Sequence, residues 1–237
     1  MRQGRARSAR IRCVNLLAID TSTDCCSVAA SRGEKLFSRH EPAARRHAER
    51  VLGMVEALLA EAKLDLEQLE GIAYGEGPGS FTGLRIAAGV AQGLALARGI
   101  GVVGVGSLLA LAEESAAEKI VACLDAHMGE VYHAAYVRAP SGWEQVSAPG
   151  LYAPQEVPLP PGTGWTGCGD GFVAHRERLP ARLGDRVSEI RSEAAPTARA
   201  VLKLAMPRFA AGEAKDAALA VPVYLRDKVA LRTSERT

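Results

Sequence analysis

LLAIDTST, residues 16–23, is the stretch that most constrains the fold, because four apolar residues lead into Asp20 and a polar turn before a second apolar strand pattern begins. Such a pattern is typical of a β-hairpin. The unit recurs as VACLDAHM, residues 121–128, where Asp125 takes the place of Asp20. Two copies 105 residues apart predict an α/β chain with two lobes of common design and a boundary near Glu118.

The segments that follow the two copies differ. After the first copy, hydrophobic periodicity and turn residues predict strands at 36–40, 69–74 and 101–105 and helices at 43–62, 81–97 and 107–117, the last with Ser107 as its N-cap. After the second copy, a Pro- and Gly-rich run at residues 140–171 replaces this order, and a helical pattern returns only at 197–209. The second lobe is therefore expected to be a degenerate copy.

The composition is that of a soluble globular protein, with 237 residues, 48% hydrophobic and 24% charged. Residues 1–12 contain five arginines and no acid, and we expect them to form a disordered arm. Without those arginines the chain has 24 basic and 27 acidic residues, a formal net charge of −3 instead of +2. This balance does not favour RNA binding by the body of the protein. No apolar run is long enough for a membrane span.

Cysteines and histidines give no metal-site signature. The five cysteines contain no C-x-x-C pair, and no two of the five histidines are four residues apart. We therefore predict no metal, reduced thiols and a cytoplasmic protein. P-loop and G-x-S-x-G motifs are also missing from the sequence.

The glycine-rich loop at residues 75–79 lies between a predicted strand and a predicted helix. Exposed amides at a helix start favour an anion, so the loop is a candidate phosphate contact. A tight turn between strand and helix, with Ser80 or Thr82 as the N-cap, explains the same sequence equally well. The turn at residues 20–23 has the same two interpretations. Both remain open from the sequence.

The helix predicted at residues 81–97 has two apolar sides. A strip with small and polar residues, Arg85, Gly89, Gln92 and Gly93, separates them. A helix on a sheet needs only one apolar side, so the second indicates close contact with another helix, from a partner or from its own lobe.

Six segments, in this order, resemble the bacterial TsaB family, also called YeaZ, over residues 13–226. They are IDTS (19–22), YGEGPGSFTGLR (74–85), AQGLA (91–95), VGVGS (103–107), DAHMGEVY (125–132) and PVYLR (222–226). The resemblance implies the actin-like ATPase (ASKHA) fold, two duplicated lobes with mixed sheets flanked by helices. Residues 13–117 would be the N-terminal lobe with the dimerisation helices and 118–226 a smaller second lobe, followed by a basic tail at 227–237.

The resemblance also implies a role in making N6-threonylcarbamoyladenosine (t6A) in tRNA. In that pathway the catalytic paralogue TsaD transfers the threonylcarbamoyl group, TsaB binds TsaD, and the small ATPase TsaE joins the assembly. TsaD carries an H-x-x-x-H metal motif after its glycine-rich loop, whereas residues 107–111 here read SLLAL. The resemblance therefore implies a non-catalytic scaffold subunit without catalytic residues, which forms a homodimer when alone and contacts tRNA only through the complex.

Two sets of residues are expected to act in this role. The partner interface is expected at Val51, Leu52, Val55, Leu58, Leu59, Arg85, Ala88, Gly89, Val90, Gln92 and Gly93. Weak phosphate contact, to ATP or ADP at a site shared with the partner and with no tightly bound cofactor, is expected at Asp20, Thr21, Ser22, Gly77, Gly79, Ser80 and Thr82.

Two other function classes remain open from the sequence. The chain could be an independent phosphotransferase or peptidase-like enzyme of the actin-like fold, for which Asp20 and Asp125 are the candidate bases. Alternatively, it could be a free-standing RNA-binding protein that acts through the arginine-rich arm. Loss of activity on mutating either aspartate, or tRNA affinity without any partner, would distinguish them.

Overall fold

Two five-stranded mixed β-sheets form the framework of the chain in the structure, a computed structural model that describes residues 14–43 and 45–226. The first sheet contains β1 (Leu16–Asp20), β2 (Cys25–Arg32), β3 (Lys35–Pro42), β4 (Gly71–Gly77) and β5 (Gly101–Gly106). The second contains β6 (Lys119–Asp125), β7 (Val131–Ala139), β8 (Gly142–Tyr152), β9 (Trp165–Cys168) and β10 (Val187–Arg191).

The two sheets share one topology. The orders β3-β2-β1-β4-β5 and β8-β7-β6-β9-β10 are equivalent when each sheet is read from its meander edge. In both, the first strand is central, pairs antiparallel with the second strand and runs parallel to the fourth. The duplication predicted from residues 16–23 and 121–128 is therefore present, with Asp20 and Asp125 at equivalent strand ends.

In the described part of the chain, six α-helices cover the sheets: α1 (His47–Ala62), α2 (Phe81–Arg98), α3 (Ser107–Ser115), α4 (Gly171–Ala174), α5 (Arg178–Leu183) and α6 (Ala198–Ala210). Helices α1 and α2 pack on one face of the first sheet and α6 on the other. Helix α3 lies against both α6 and β6, so it connects the cores of the two sheets.

Strand β1 shows why the first sheet is covered on both faces. Successive side chains of a strand point to opposite faces. Leu17 and Ile19 belong to the core beneath α1 and α2, whereas Leu16 and Ala18 belong to the core beneath α6. A strand buried on both sides reads as a continuous apolar run, which is the pattern in the sequence.

The predicted second lobe, residues 118–226, is wrong in its C-terminal part, because helix α6 and the segment after it pack on the first sheet. Helix α6 packs on the first sheet through Ala198, Val201, Leu202 and Ala205, and the segment after it also runs along the first sheet. Helical periodicity identified the apolar side of α6 but carries no information on which sheet covers it.

The N-terminal ends of α2 and α3 differ. Ser80 caps α2, since its hydroxyl oxygen accepts a hydrogen bond from the Gly83 amide at 3.3 Å. The prediction that Ser107 caps α3 is wrong, because Gly106 is the N-cap and Ser107 is the first helical residue. None of the described helices is long and apolar enough to cross a membrane.

Candidate functional site

Two sequence motifs meet at the carboxyl ends of β1 and β4, in the interior of the first sheet. Strands β1 and β4 are parallel neighbours, so the turn after β1 lies beside the loop that leads from β4 into α2. The Thr21 hydroxyl donates to the Gly83 carbonyl oxygen at 2.7 Å, and the Ser80 amide donates to the Ser22 carbonyl oxygen at 2.8 Å. The two loops are therefore hydrogen-bonded to each other.

Glycines make this close approach possible. A Cβ atom at Gly79 would collide with the Ser22 carbonyl oxygen, and one at Gly83 would collide with the Thr21 carbonyl oxygen. Gly79 and Gly83 of the GPGSFTG sequence are thus explained by backbone packing between the two loops. No side chain fits between them at these two positions.

Asp20 is buried where the two loops meet. Its Oδ1 atom accepts from the Ser22 amide at 3.1 Å and the Ser22 hydroxyl at 2.9 Å. Its Oδ2 atom has no hydrogen-bond partner among the described residues and occupies the space that a side chain at position 75 would need, where the chain has Gly75. Burial raises the pKa of the Asp20 carboxyl group.

The predicted phosphate contacts are divided between buried and exposed positions. Asp20, Thr21, Ser22 and Gly77 are buried, Gly79 is half-buried, and Ser80 and Thr82 are exposed. The Thr21 and Ser22 hydroxyls donate hydrogen bonds within this region, whereas the exposed Ser80 hydroxyl only accepts one, so Ser80 and Thr82 are the two hydroxyls that can donate to a ligand. In this arrangement the loops act mainly as a packing contact.

The second copy of the turn is built around Asp125. Its carboxylate accepts from the His127 amide at 2.9 Å and lies 3.0 Å from the His127 Nδ1 atom, while its amide donates to Asp170 at 2.9 Å. His127 and Met128 have φ angles of 58° and 54°, a region that residues with a side chain rarely adopt. Burial is the main cause that raises the pKa of the Asp170 carboxyl group.

Residues 217–226 run from the first lobe to the second, and no hydrophobic period or turn motif in the sequence predicts a role for them. The Tyr74 hydroxyl donates to the Val221 carbonyl oxygen at 3.2 Å and lies 3.1 Å from the Val221 amide, and the Val223 amide donates to the Glu76 carbonyl oxygen at 2.6 Å. These bonds fix the segment to β4. Only the PVYLR match at 222–226 indicated that it matters.

Arg226 fixes the other end of this segment to the second lobe. Its guanidinium donates to the Ala126 carbonyl oxygen at 3.0 Å and lies 2.8 Å from the Glu130 carboxylate. Both partners belong to the turn that contains the left-handed residues His127 and Met128. The C-terminal segment therefore connects β4 to the strained turn of the second sheet.

The buried thiols and the potential metal ligands among the described residues give no sign of nucleophilic or metal chemistry. Burial raises the pKa of both Cys26 and Cys168 to about 11, and it also raises the pKa of Cys123, so these thiols stay protonated near neutral pH. Across residues 14–43 and 45–226, no three His, Cys, Asp or Glu side chains are grouped as metal ligands would be.

The residues predicted for the partner interface separate into two groups. Five of them are buried in the core of their own lobe and present no surface to a partner, so they are removed from the predicted interface: Val51, Val55, Leu58, Leu59 and Ala88. Their apolar sides cover the first sheet, which is the own-lobe alternative that periodicity left open.

The other predicted residues lie at or near the surface. Leu52, Arg85, Gly89 and Gly93 are exposed, whereas Val90 and Gln92 are half-buried. Five exposed residues on the outer side of α2 define the α2 face: Thr82, Arg85, Gly89, Gly93 and Leu96. A Cβ atom added at Gly89 or Gly93 would meet no atom within 4 Å, so the middle of this face is open.

Two predicted features lie outside the described residues. These are the arginine-rich arm at 1–12 and the basic tail at 227–237. RNA binding through the arm therefore stays a prediction.

Comparison with known proteins gives consistent results along nearly the whole chain. A family model described as TsaD, tRNA N6-adenosine threonylcarbamoyltransferase, matches residues 39–233. The tRNA threonylcarbamoyladenosine biosynthesis protein TsaB of Escherichia coli (strain K12) is 35% identical over 232 residues, covering 92% of this chain and 96% of that protein. The protein of the same name from Haemophilus influenzae is 35% identical over 237 residues, covering 91% and 95%.

A solved structure supports the same grouping. YeaZ from Pseudomonas aeruginosa superposes with a TM-score of 0.83 at 39% identity, covering 90% of this chain and 100% of that one. Together with the two equivalent mixed sheets flanked by helices, these likenesses confirm the predicted actin-like ATPase fold. On the shared topology and on sequence identity along nearly its full length, the chain belongs to the TsaB family, also called YeaZ.

Proposed function

We propose that this chain is a non-catalytic subunit in the biosynthesis of t6A in tRNA. It binds a TsaD-type catalytic paralogue, and a TsaE-type ATPase joins the assembly. The names of the E. coli and H. influenzae relatives support the pathway. The observation that carries the partner role is the exposed α2 face, with two glycines that leave room for a helix of another protein.

The proposal that this chain is non-catalytic rests on the two candidate bases, whose carboxylates are bonded within the protein. Asp20, one candidate base, is buried and accepts two hydrogen bonds from Ser22. Asp125, the other candidate, holds the turn of the second sheet through the His127 amide. An acid or base must reach the proton that it transfers, and these carboxylates instead serve the local structure. Transfer chemistry is therefore assigned to the paralogue.

The partner surface is argued from the shape and chemistry of the α2 face. Gly89 and Gly93 lie one helical turn apart on the outer side of α2, so they form a shallow floor where a second helix approaches closely. Leu52 on α1 and Leu96 on α2 are each more than half exposed, 54% and 57%. When the chain is alone, the same surface pairs with a second copy of itself.

Nucleotide binding is assigned to the complex, because this chain offers little to a phosphate. The Thr21 hydroxyl donates to the Gly83 carbonyl oxygen and the Ser22 hydroxyl donates to Asp20, while the Ser80 hydroxyl oxygen accepts from the Gly83 amide. We propose no tightly bound cofactor and, at most, contact of Ser80 and Thr82 with ATP or ADP at a site that the partner completes. tRNA is bound through the assembly, which acts in the cytoplasm.

The substitution Gly89→Arg tests the partner surface. The chain should remain folded, since the space at this position is open. A charge buried in an interface without a partner costs several kcal/mol, so affinity for the TsaD-type paralogue should fall by about 100-fold or more. Titration calorimetry measures the affinity, and circular dichroism checks the fold.

A matched control places the same charge on a distant exposed apolar position, Val173 of α4, as Val173→Arg. This variant should bind the paralogue as the unaltered chain does. If folded Gly89→Arg binds with unchanged affinity, the proposed surface is wrong.

A further inference from the structure

We infer that residues 217–224, here called the C-terminal ridge, form one wall of the partner surface beside the α2 face. The inference rests on the proposed function and extends it, because it adds a segment from the other end of the chain to the binding site. The occupant is the same protein partner, which presents an apolar helical surface to α2.

The position of the ridge follows from the two sides of α2. Gln92 donates from its Nε2 atom to the Ala217 carbonyl oxygen at 3.3 Å and to the Ala218 carbonyl oxygen at 3.2 Å. Val90 is two residues away, on nearly the opposite side of the helix, and packs against the core that includes Val51 of α1. Helix α2 therefore lies between α1 and the ridge, with its two outer glycines between two walls.

Hydrogen bonds to its main chain hold the ridge in place. Immediately before it, Lys215 exchanges amide–carbonyl bonds of 2.8 Å and 2.9 Å with Val102 at the edge of the first sheet. The bonds from Tyr74 to Val221 and from Val223 to Glu76 continue the attachment. A fixed wall can contribute to binding without the entropy cost of ordering a loose segment.

The far end of the ridge is fixed by an aromatic contact. The rings of Tyr224 and Phe81 are 5.6 Å apart, and the Arg85 guanidinium lies 3.3 Å above the Phe81 ring. Because Arg85 belongs to the α2 face, the ridge and the face form one continuous surface. Aromatic and arginine side chains of this kind are enriched at protein interfaces.

The chemistry of the ridge indicates a protein partner. Residues 217–225 read AALAVPVYL and contain no charged side chain. Leu219 and Val221 are each 58% exposed, and Val223 and Tyr224 are each 42% exposed. A surface that binds a nucleic acid backbone needs lysine or arginine along its length, which this ridge lacks. Four exposed apolar side chains next to an open helix face match an apolar protein surface.

The pair Leu219→Asp/Val221→Asp tests the inference. Both side chains point to solvent, and the bonds that anchor the ridge to Gln92 and Tyr74 are made by main-chain atoms, so the fold should be retained. Affinity for the TsaD-type paralogue should fall at least 10-fold. The pair Val173→Asp/Ile190→Asp, also exposed and apolar but in the second lobe, is the control and should bind normally.

The outcomes separate this inference from the proposed function. If Gly89→Arg loses affinity and the ridge pair binds normally, the ridge is not part of the interface, while the proposed function stands. If the unaltered chain does not bind the paralogue, the proposed function fails and the inference falls with it. Should the aspartate pair fail to fold, Leu219→Ala/Val221→Ala removes the same apolar contact without adding charge, and unchanged binding by that pair would also overturn the inference.

Discussion

The second lobe contains a buried histidine that should make the protein sensitive to mild acid. His133 of β7 is fully buried, and neither ring nitrogen has a hydrogen-bond partner among the described residues. Burial lowers the pKa of His133 from 6.5 to about 4. The unfolded chain therefore takes up a proton between these values and the folded chain does not, so stability is lost as the pH falls below 6.5.

The size of this effect follows from the two pKa values. Protonation of the unfolded state at pH 5 lowers the free energy of unfolding by about 2 kcal/mol, compared with about 0.2 kcal/mol at pH 7. His133→Leu removes the titrating group at similar side-chain volume. Between pH 7 and pH 5 the unaltered chain should therefore lose about 2 kcal/mol more stability than the variant, whatever the packing cost of leucine.

Urea unfolding at both pH values measures this difference, because packing effects that do not depend on pH cancel. Val121→Ala, in the buried core of the second sheet, is the control, since it removes packing without a titrating group and should cost the same at both pH values. An equal loss of stability in the unaltered chain and in His133→Leu would show that His133 is not responsible for the acid sensitivity.

Three further predictions concern the loops and the C-terminal segment. Gly83→Val should lower the free energy of unfolding by more than ~2 kcal/mol because its side chain meets the Thr21 carbonyl group, whereas Gly93→Val, in open space on the same helix, should cost less than ~1 kcal/mol in urea unfolding. Arg226→Ala should remove about 1–2 kcal/mol of stability and speed amide hydrogen exchange at residues 126–130, which Arg226 holds in place. Unchanged exchange there would show that the turn is stable alone. Calorimetric titration of the isolated chain with ATP should show no strong binding, and a dissociation constant near 1 µM, about −8 kcal/mol, would show that the two loops are more than a packing contact.

The duplicated architecture could be predicted because the repeated unit is a local pattern that can be recognised within a few residues. The runs that end at Asp20 and Asp125 each carry the apolar strand and polar turn that define the central strand of a sheet. The structure places both at equivalent positions, so the duplicated architecture could be predicted. Strands β8 and β9 were missed, because they lie in the Pro- and Gly-rich run that interrupts the hydrophobic pattern.

The candidate site was less accessible to sequence reasoning, because periodicity shows which side of a helix is apolar but not what covers it. The second apolar side of α2, with Ile86, Val90 and Leu94, is half-buried against the core of its own lobe. Helical periodicity did place Gly89 and Gly93 on a separate strip between the two apolar sides, and both are exposed in the structure. The C-terminal ridge lacks any helical or strand period, so only its three-dimensional contacts with Gln92 and Tyr74 connect it to α2.

Binding to a TsaD-type catalytic paralogue is the proposed role of this chain. Sedimentation velocity of an equimolar mixture of the two proteins measures that binding, at concentrations around 10 µM, where a specific interface of about 800 Å² per partner is expected to be occupied. We expect one boundary that sediments faster than either protein alone. Two boundaries that match the separate proteins would mean that the proposed role is wrong.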